Sequence, residues 1–285
     1  MAVFDTHTWL SSDGLSLSAR IHAGDRTRAP VLCLPGLTRN ARDFEDVAAA
    51  IAPDRQVICP DLRGRGQSAR APDPATYTPV HYLGDVLGLL AGLGVERFVA
   101  IGTSLGGLLT MMLAGTDPAR LAGAVLNDIG PVIDPAGLAR IRGYVGVAAC
   151  FADWDAAAQA LAAAQADAFS AFMHEDWLRM ARRTMRESAE GIVFDYDMAI
   201  AQPFADDDGA TPAPDLWPLF DALAGVPVTV VRGGASDILS AATAAAMQAR
   251  HPGLDLVTLP GIGHAPTLDE APARAAIARL LDRVP

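Results

Sequence analysis

Apolar and polar positions along the chain alternate between two rhythms. Short apolar runs at Val31–Leu34, Gln56–Cys59, Phe98–Ile101 and Ala122–Leu126 have the length and make-up of buried strands. Between them lie longer stretches with helical spacing. Ala41–Ile51 brings Phe44, Val47, Ala48 and Ile51 onto one face behind Asn40, a residue suited to capping a helix start. Val80–Leu93 and Leu105–Ala114 follow the same rule. Ahead of them, Thr6–Leu10 and Leu15–His22 flank Asp13-Gly14, a dipeptide that favours a hairpin turn. The rhythm breaks after Pro131. From Asp134 to Glu190 the signal is all helical, opened by Asp134-Pro135 and continued over Asp155–Phe169 and Glu175–Arg186. Gln202–Trp217, with Asp206-Asp207-Asp208-Gly209 and three prolines, reads as a linker. Strand and helix then resume at Val226–Val231, Ala241–Arg250, Leu254–Leu259 and Ala271–Leu281.

The expected architecture is therefore α/β: a mostly parallel, twisted eight-stranded sheet with helices on both faces and an inserted helical cap. Residues 1–130 and 216–285 form the core, and residues 131–215 form the insertion. Both ends of the insertion return to the same sheet, which argues against an independent helical domain.

Composition narrows the function classes. The chain has 285 residues, of which 51% are hydrophobic and 19% charged, enough apolar material for a substantial core. A net charge of −11 repels nucleic-acid phosphates and anionic membranes, so neither is expected as a partner. No apolar run approaches the roughly 18 residues of a membrane span, and the first residues do not have the pattern of a secretory signal. Three widely spaced cysteines suggest no disulfide framework. Cys33 and Cys59 fall inside apolar runs as buried thiols, consistent with a reducing cytoplasm. No metal-ligand cluster and no phosphate-cradling glycine motif emerges, so the expected partner is a small-molecule substrate, without metal or cofactor.

The chemistry concentrates in Gly102-Thr103-Ser104-Leu105-Gly106. The motif follows a strand and opens a helix, and a turn that tight lifts Ser104 out of the backbone at a helix N-terminus. A serine hydroxyl needs a base. His264, just after the last predicted strand, is the expected base, since none of the other histidines follows a parallel strand. The acid that should orient it has two candidates. Asp237 follows Val226–Val231, and Asp128 follows Ala122–Leu126. Both lie between serine and histidine in the chain, so order cannot choose, and Asp237 is preferred. Backbone donors for a tetrahedral intermediate are expected from Leu105 N–H and from Leu37 N–H in the loop Pro35–Asn40. In that loop Gly36 permits close approach, and Arg39 is a candidate for pairing with a substrate carboxylate. Tyr144, Trp154, Phe172, Trp177 and Tyr196 are candidate pocket aromatics in the insertion, with packing as the alternative reading.

With these residues placed, the chain resembles the α/β-hydrolase superfamily over essentially its whole length. Asp61-Leu62-Arg63-Gly64-Arg65-Gly66-Gln67-Ser68 is similar to that family's Asp-x-Arg-Gly-x-Gly-x-Ser loop, a structural signature. Pro35-Gly36 stands where many relatives have His-Gly. In most of the family the acid follows the seventh strand, which supports Asp237; in some it follows the sixth, which keeps Asp128 open. The resemblance is to small capped bacterial hydrolases with a serine nucleophile. It implies hydrolysis of a small ester, lactone or related acyl compound through an acyl-enzyme. Carbon–carbon or amide bond hydrolysis with the same triad remains an alternative, and a non-catalytic ligand receptor on this fold is a second.

Overall fold

The computed structural model describes residues 3–205 and 214–285. Eight strands form one sheet: β1 (Asp5–Leu10), β2 (Ser16–His22), β3 (Val31–Leu34), β4 (Val57–Asp61), β5 (Phe98–Thr103), β6 (Leu121–Asn127), β7 (Val228–Gly233) and β8 (Asp255–Leu259). Their spatial order is β1-β2-β4-β3-β5-β6-β7-β8. The first hairpin and the β2–β4 pair are antiparallel; all other pairs are parallel. The chain lays β4 on one side of β3 and then crosses to place β5 on the other. A crevice opens at the carboxyl ends of the strands beside such a switch.

The pleat explains why the inner strands are apolar throughout. Leu32, Leu34, Ala100, Ala124 and Leu126 face the helices Pro79–Gly92, Leu105–Thr116 and Ala241–Arg250. Their neighbours Val31, Cys33, Val99, Ile101 and Val125 face the helices Glu45–Ile51 and Ala271–Asp282. A strand covered on both faces has no polar side to show. No helix among the described residues is long and apolar enough to cross a membrane.

The insertion differs from its sequence reading. Helices Pro135–Tyr144, Trp154–Gln165 and His174–Thr184 are present, but Cys150–Phe151, Met185–Ser188 and Gly191–Phe194 pair into a three-stranded antiparallel sheet. Met185 and Arg186 extend the helical pattern of the residues before them, so strands this short leave no separate period-two signal. Gly191 turns the hairpin at φ 138°, where a Cβ would also strike the Phe151 carbonyl. Of the expected linker, Asp206-Asp207-Asp208-Gly209 lies outside the described residues.

A separate apolar cluster fills the insertion, with Trp177, Phe169 and Met180 at its centre. Arg42 in the core donates to the Arg182 and Arg183 carbonyls, each at 3.2 Å, and to Asp195 at 2.7 Å. Arg183 reaches back to Asp46 and Asp269 in the core. The insertion is thus tied by ion pairs as well as by chain connections.

Candidate active site

Five loops meet at the carboxyl edge of the sheet. The sharpest follows β5. Ser104 has φ 52° and ψ −114°, a conformation that costs a non-glycine residue of order 1–3 kcal/mol. Its N–H donates to the Asn127 carbonyl at 2.9 Å, which fixes the turn against β6. Glycine is required on both sides. A Cβ on Gly102 would collide with the Gly106 carbonyl, and one on Gly106 with the Leu34 carbonyl. The strain and the close approach together push the serine side chain up at the start of the helix Leu105–Thr116.

His264 enters from the loop after β8. Its Nε2 lies 2.8 Å from Ser104 Oγ. The insertion holds this loop in place: Gly263 N–H donates to the Ala168 carbonyl at 2.6 Å, and Phe169 pairs with Ile262 as an isolated bridge. Ile262 also packs on the insertion's apolar cluster. The candidate pocket aromatics Phe172 and Trp177 belong to that cluster, their ring centroids 5.0 Å apart. Trp154 packs on its edge, Tyr196 is buried against the main core, and Tyr144 is 45% exposed.

The carboxylate beside His264 is not the one that the sequence preferred. Asp128 Oδ2, not Asp237, lies 2.8 Å from His264 Nδ1. Asp128 directly follows β6, adopts φ 57°, and is fully buried. Its Oδ1 accepts the Gly233 N–H at 2.8 Å, and its Oδ2 also accepts the Ser236 hydroxyl at 2.6 Å. Ser236 in turn accepts the N–H groups of Ile238 and Leu239, each at 3.1 Å. Asp237 instead faces the insertion. It takes a two-pronged ion pair from Arg140, at 2.5 and 2.8 Å, and that hydrogen bonding holds its carboxyl below the usual carboxylate range. The reason is the loop's path: Ser236 turns inward to Asp128, so the next side chain points outward, where the helix Pro135–Tyr144 supplies a cation.

Ser236 and Asn127 are site residues that the sequence reading missed. Asn127 donates to Thr103 at 3.0 Å and to the Pro266 carbonyl at 2.8 Å, joining the ends of β5 and β6 to the segment after His264. A serine beside an aspartate in a loop after a strand is the signal Ser236 offers, and it does not say which of the two side chains turns inward.

The loop after β3 completes the arrangement. A Cβ on Gly36 would lie 3.9 Å from Ser104 Cβ, so this loop passes directly beside the serine. Among the described residues, neither Leu37 N–H nor Leu105 N–H donates to a protein acceptor. Arg39 pairs with Asp43 at 3.0 Å and stays partly exposed. The motif that begins at Asp61 is the loop's support. Asp61, buried, accepts Ala41 N–H at 2.7 Å and Gln67 N–H at 2.9 Å, and burial pushes its carboxyl upward. Arg63 forms a buried, two-pronged pair with Asp85, both bonds at 2.7 Å. No cluster of metal-ligating side chains occurs among the described residues.

Comparison with known proteins gives a consistent picture. The family model for the α/β hydrolase fold matches residues 29–271. The 3-hydroxybutyrate-oligomer hydrolase of Cupriavidus necator is 36% identical over 277 residues, covering 94% of each chain. A crystal structure of an α/β hydrolase from Novosphingobium aromaticivorans superposes with a TM-score of 0.96 at 59% identity, over all of both chains. A putative hydrolase from Rickettsia typhi superposes with a TM-score of 0.87 at 25% identity, over 99% of this chain and 100% of that one.

Proposed function

The chain belongs to the α/β-hydrolase fold family and is a hydrolase, and from that premise we propose that it cleaves small aliphatic esters by a Ser104–His264–Asp128 triad. The observation that carries this reading is the unbroken relay from Ser104 Oγ through the His264 ring to Asp128, with both links at 2.8 Å. Geometry of this kind lets histidine accept the serine proton as the hydroxyl attacks a carbonyl carbon. Asp128 fixes the ring and stabilises the imidazolium, and its remaining lone pairs are already held by Gly233 and Ser236. The carbonyl oxygen becomes an oxyanion facing Leu37 N–H and Leu105 N–H, donors typically worth about 2.7–4 kcal/mol each in the transition state. The intermediate collapses, the leaving alcohol takes the proton from Nε2, and an acyl group remains on Ser104. Water then attacks that acyl group, His264 takes its proton, and the acid leaves with Ser104 restored.

For the acyl group we take the ester links of short 3-hydroxyacid oligomers. The relative from Cupriavidus necator, matched along nearly its whole length, is a hydrolase of 3-hydroxybutyrate oligomers. Such substrates end in a carboxylate, and Arg39, whose side chain passes beside Gly36, is the proposed cation for it. The insertion would act as a cap over the site, since it holds the His264 loop directly. Three free thiols fit a reducing compartment, so the cytoplasm is the proposed location.

The test is turnover of linear 3-hydroxybutyrate dimer and trimer beside p-nitrophenyl butyrate, with fluorophosphonate labelling of the wild type and of Ser104→Ala. Cleavage of the oligomers and labelling that vanishes in Ser104→Ala are the expected results. Activity on p-nitrophenyl butyrate alone would overturn the oligomer assignment. Equal labelling of both proteins would overturn the nucleophile.

A further inference from the structure

Arg65 carries a buried charge that nothing described so far uses. It is 1% exposed, and among the described residues no carboxylate lies within ion-pair distance of it. The neighbouring carboxylates are already engaged: Asp85 is held by Arg63, and Asp197 accepts the Tyr77 hydroxyl at 2.7 Å. The guanidinium is satisfied by neutral groups instead. Nε donates to the Leu37 carbonyl at 2.9 Å, and Nη1 donates to the Arg63 carbonyl at 2.6 Å and to the Tyr82 hydroxyl at 3.1 Å. The guanidinium carbon sits 4.8 Å from the Tyr82 ring centroid and 5.7 Å from that of Tyr77. Nη2 has no hydrogen-bond partner at all among the described residues. The backbone of Arg65 also bridges to Tyr196 of the insertion.

A cation removed from water without a counter-charge is costly, and carbonyl and ring contacts offset only part of that cost. Its positive field is therefore not cancelled locally. Through Nε it grips the Leu37 carbonyl, and the N–H on the other side of the same Cα is one of the two donors assigned to the oxyanion. In the proposed reaction the developing negative charge faces the Leu37 N–H, which only the Leu37 Cα separates from the carbonyl that Arg65 holds. A fixed positive charge in a dry site is worth most where charge appears only in the transition state.

We infer that Arg65 is a positioning residue for the reaction: by holding the Leu37 carbonyl it fixes that residue so that the N–H across its Cα stays aimed at the oxyanion, and its unneutralised charge stabilises that oxyanion from behind the loop. The inference rests on the hydrolase reading above. It extends that reading to a residue of the Asp61–Ser68 motif, which otherwise serves only to brace loops.

The experiment compares full-length wild type, Arg65→Met and Arg65→Lys on p-nitrophenyl butyrate, with phenylboronic acid as a probe that becomes a tetrahedral anion on Ser104. Far-UV circular dichroism checks folding. Arg65→Met should lower kcat by about 10- to 30-fold, less than loss of an oxyanion donor itself, with KM within about twofold. Phenylboronic acid should weaken by a similar factor. Arg65→Lys keeps the charge but loses the fork geometry, and should fall between the two. If Arg65→Met does not fold, Arg65→Lys alone decides, with a several-fold fall in both kcat and boronate affinity expected. Unchanged kcat and boronate affinity in the folded variants would overturn the inference. So would a raised KM at constant kcat, which would make Nη2 a ground-state substrate contact. Wild type that neither turns over ester nor takes a fluorophosphonate would instead refute the hydrolase reading, since the inference concerns only the variant-to-wild-type ratio.

Discussion

The ends of β6 and β7 each carry an aspartate at the same edge of the sheet, yet the two carboxylates live in opposite surroundings. Asp128 is fully buried and receives Gly233 N–H, the Ser236 hydroxyl and the His264 ring. The Asp237 side chain is 36% exposed and is held mainly by Arg140, itself 44% exposed. A carboxylate that must stay ionised beneath an imidazolium needs donors that do not move, and a buried one cannot borrow them from water. The β7 loop supplies those donors to Asp128 and sends its own aspartate away. One loop thus bears the proposed acid and the other supports it, although chain order treats them alike.

The largest expected break is at Asp128. Asp128→Asn should lower kcat by about 10⁴-fold with the protein folded, as steady-state kinetics on p-nitrophenyl butyrate would read, because the ring loses its orienting charge. Ser236→Ala should come next, lowering kcat about tenfold: it removes the hydroxyl from Asp128 and leaves part of a buried carboxylate unsatisfied. Asp237→Asn should change kcat by no more than about twofold, since an exposed ion pair contributes under about 1 kcal/mol.

The smallest effect is one of pH. Arg140 depresses the Asp237 pKa, so the pair's contribution is full above the ordinary carboxylate range and is lost as pH falls through the depressed value. Thermal melts should therefore show wild type and Asp237→Asn converging only in strong acid. Convergence already near neutrality would contradict the assigned pairing.

The contrast also shows what a sequence can reveal. Ser104 was legible because its requirements are local: Gly102 and Gly106 are spaced so that neighbouring backbone fits where a Cβ could not. His264 was legible because it follows a strand. The inner strands were legible because Leu32 and Val31, or Ala100 and Val99, need apolar contacts on both faces of the sheet, and the first hairpin because Asp13-Gly14 marks its turn. The acid was not, because its identity depends on whether Ser236 or Asp237 turns inward, a matter of loop path rather than residue type. The insertion's sheet was hidden for another reason. Met185, the first residue of its strand, is buried in the same cluster as Trp177 and Met180 of the preceding helix, so its apolar character continues the helical pattern. Arg65 was legible only as part of the Asp61–Ser68 signature, because its partners are carbonyls, a hydroxyl and rings, which no spacing rule marks.

The most direct measurement is proton NMR of the His264 ring in wild type, Asp128→Asn and Asp237→Asn. A histidine Nδ1–H held by a buried carboxylate gives a strongly downfield resonance. The expected result is a signal present in wild type and in Asp237→Asn and lost in Asp128→Asn. A signal that survives Asp128→Asn and disappears in Asp237→Asn would contradict the central assignment and return the acid's role to the β7 loop.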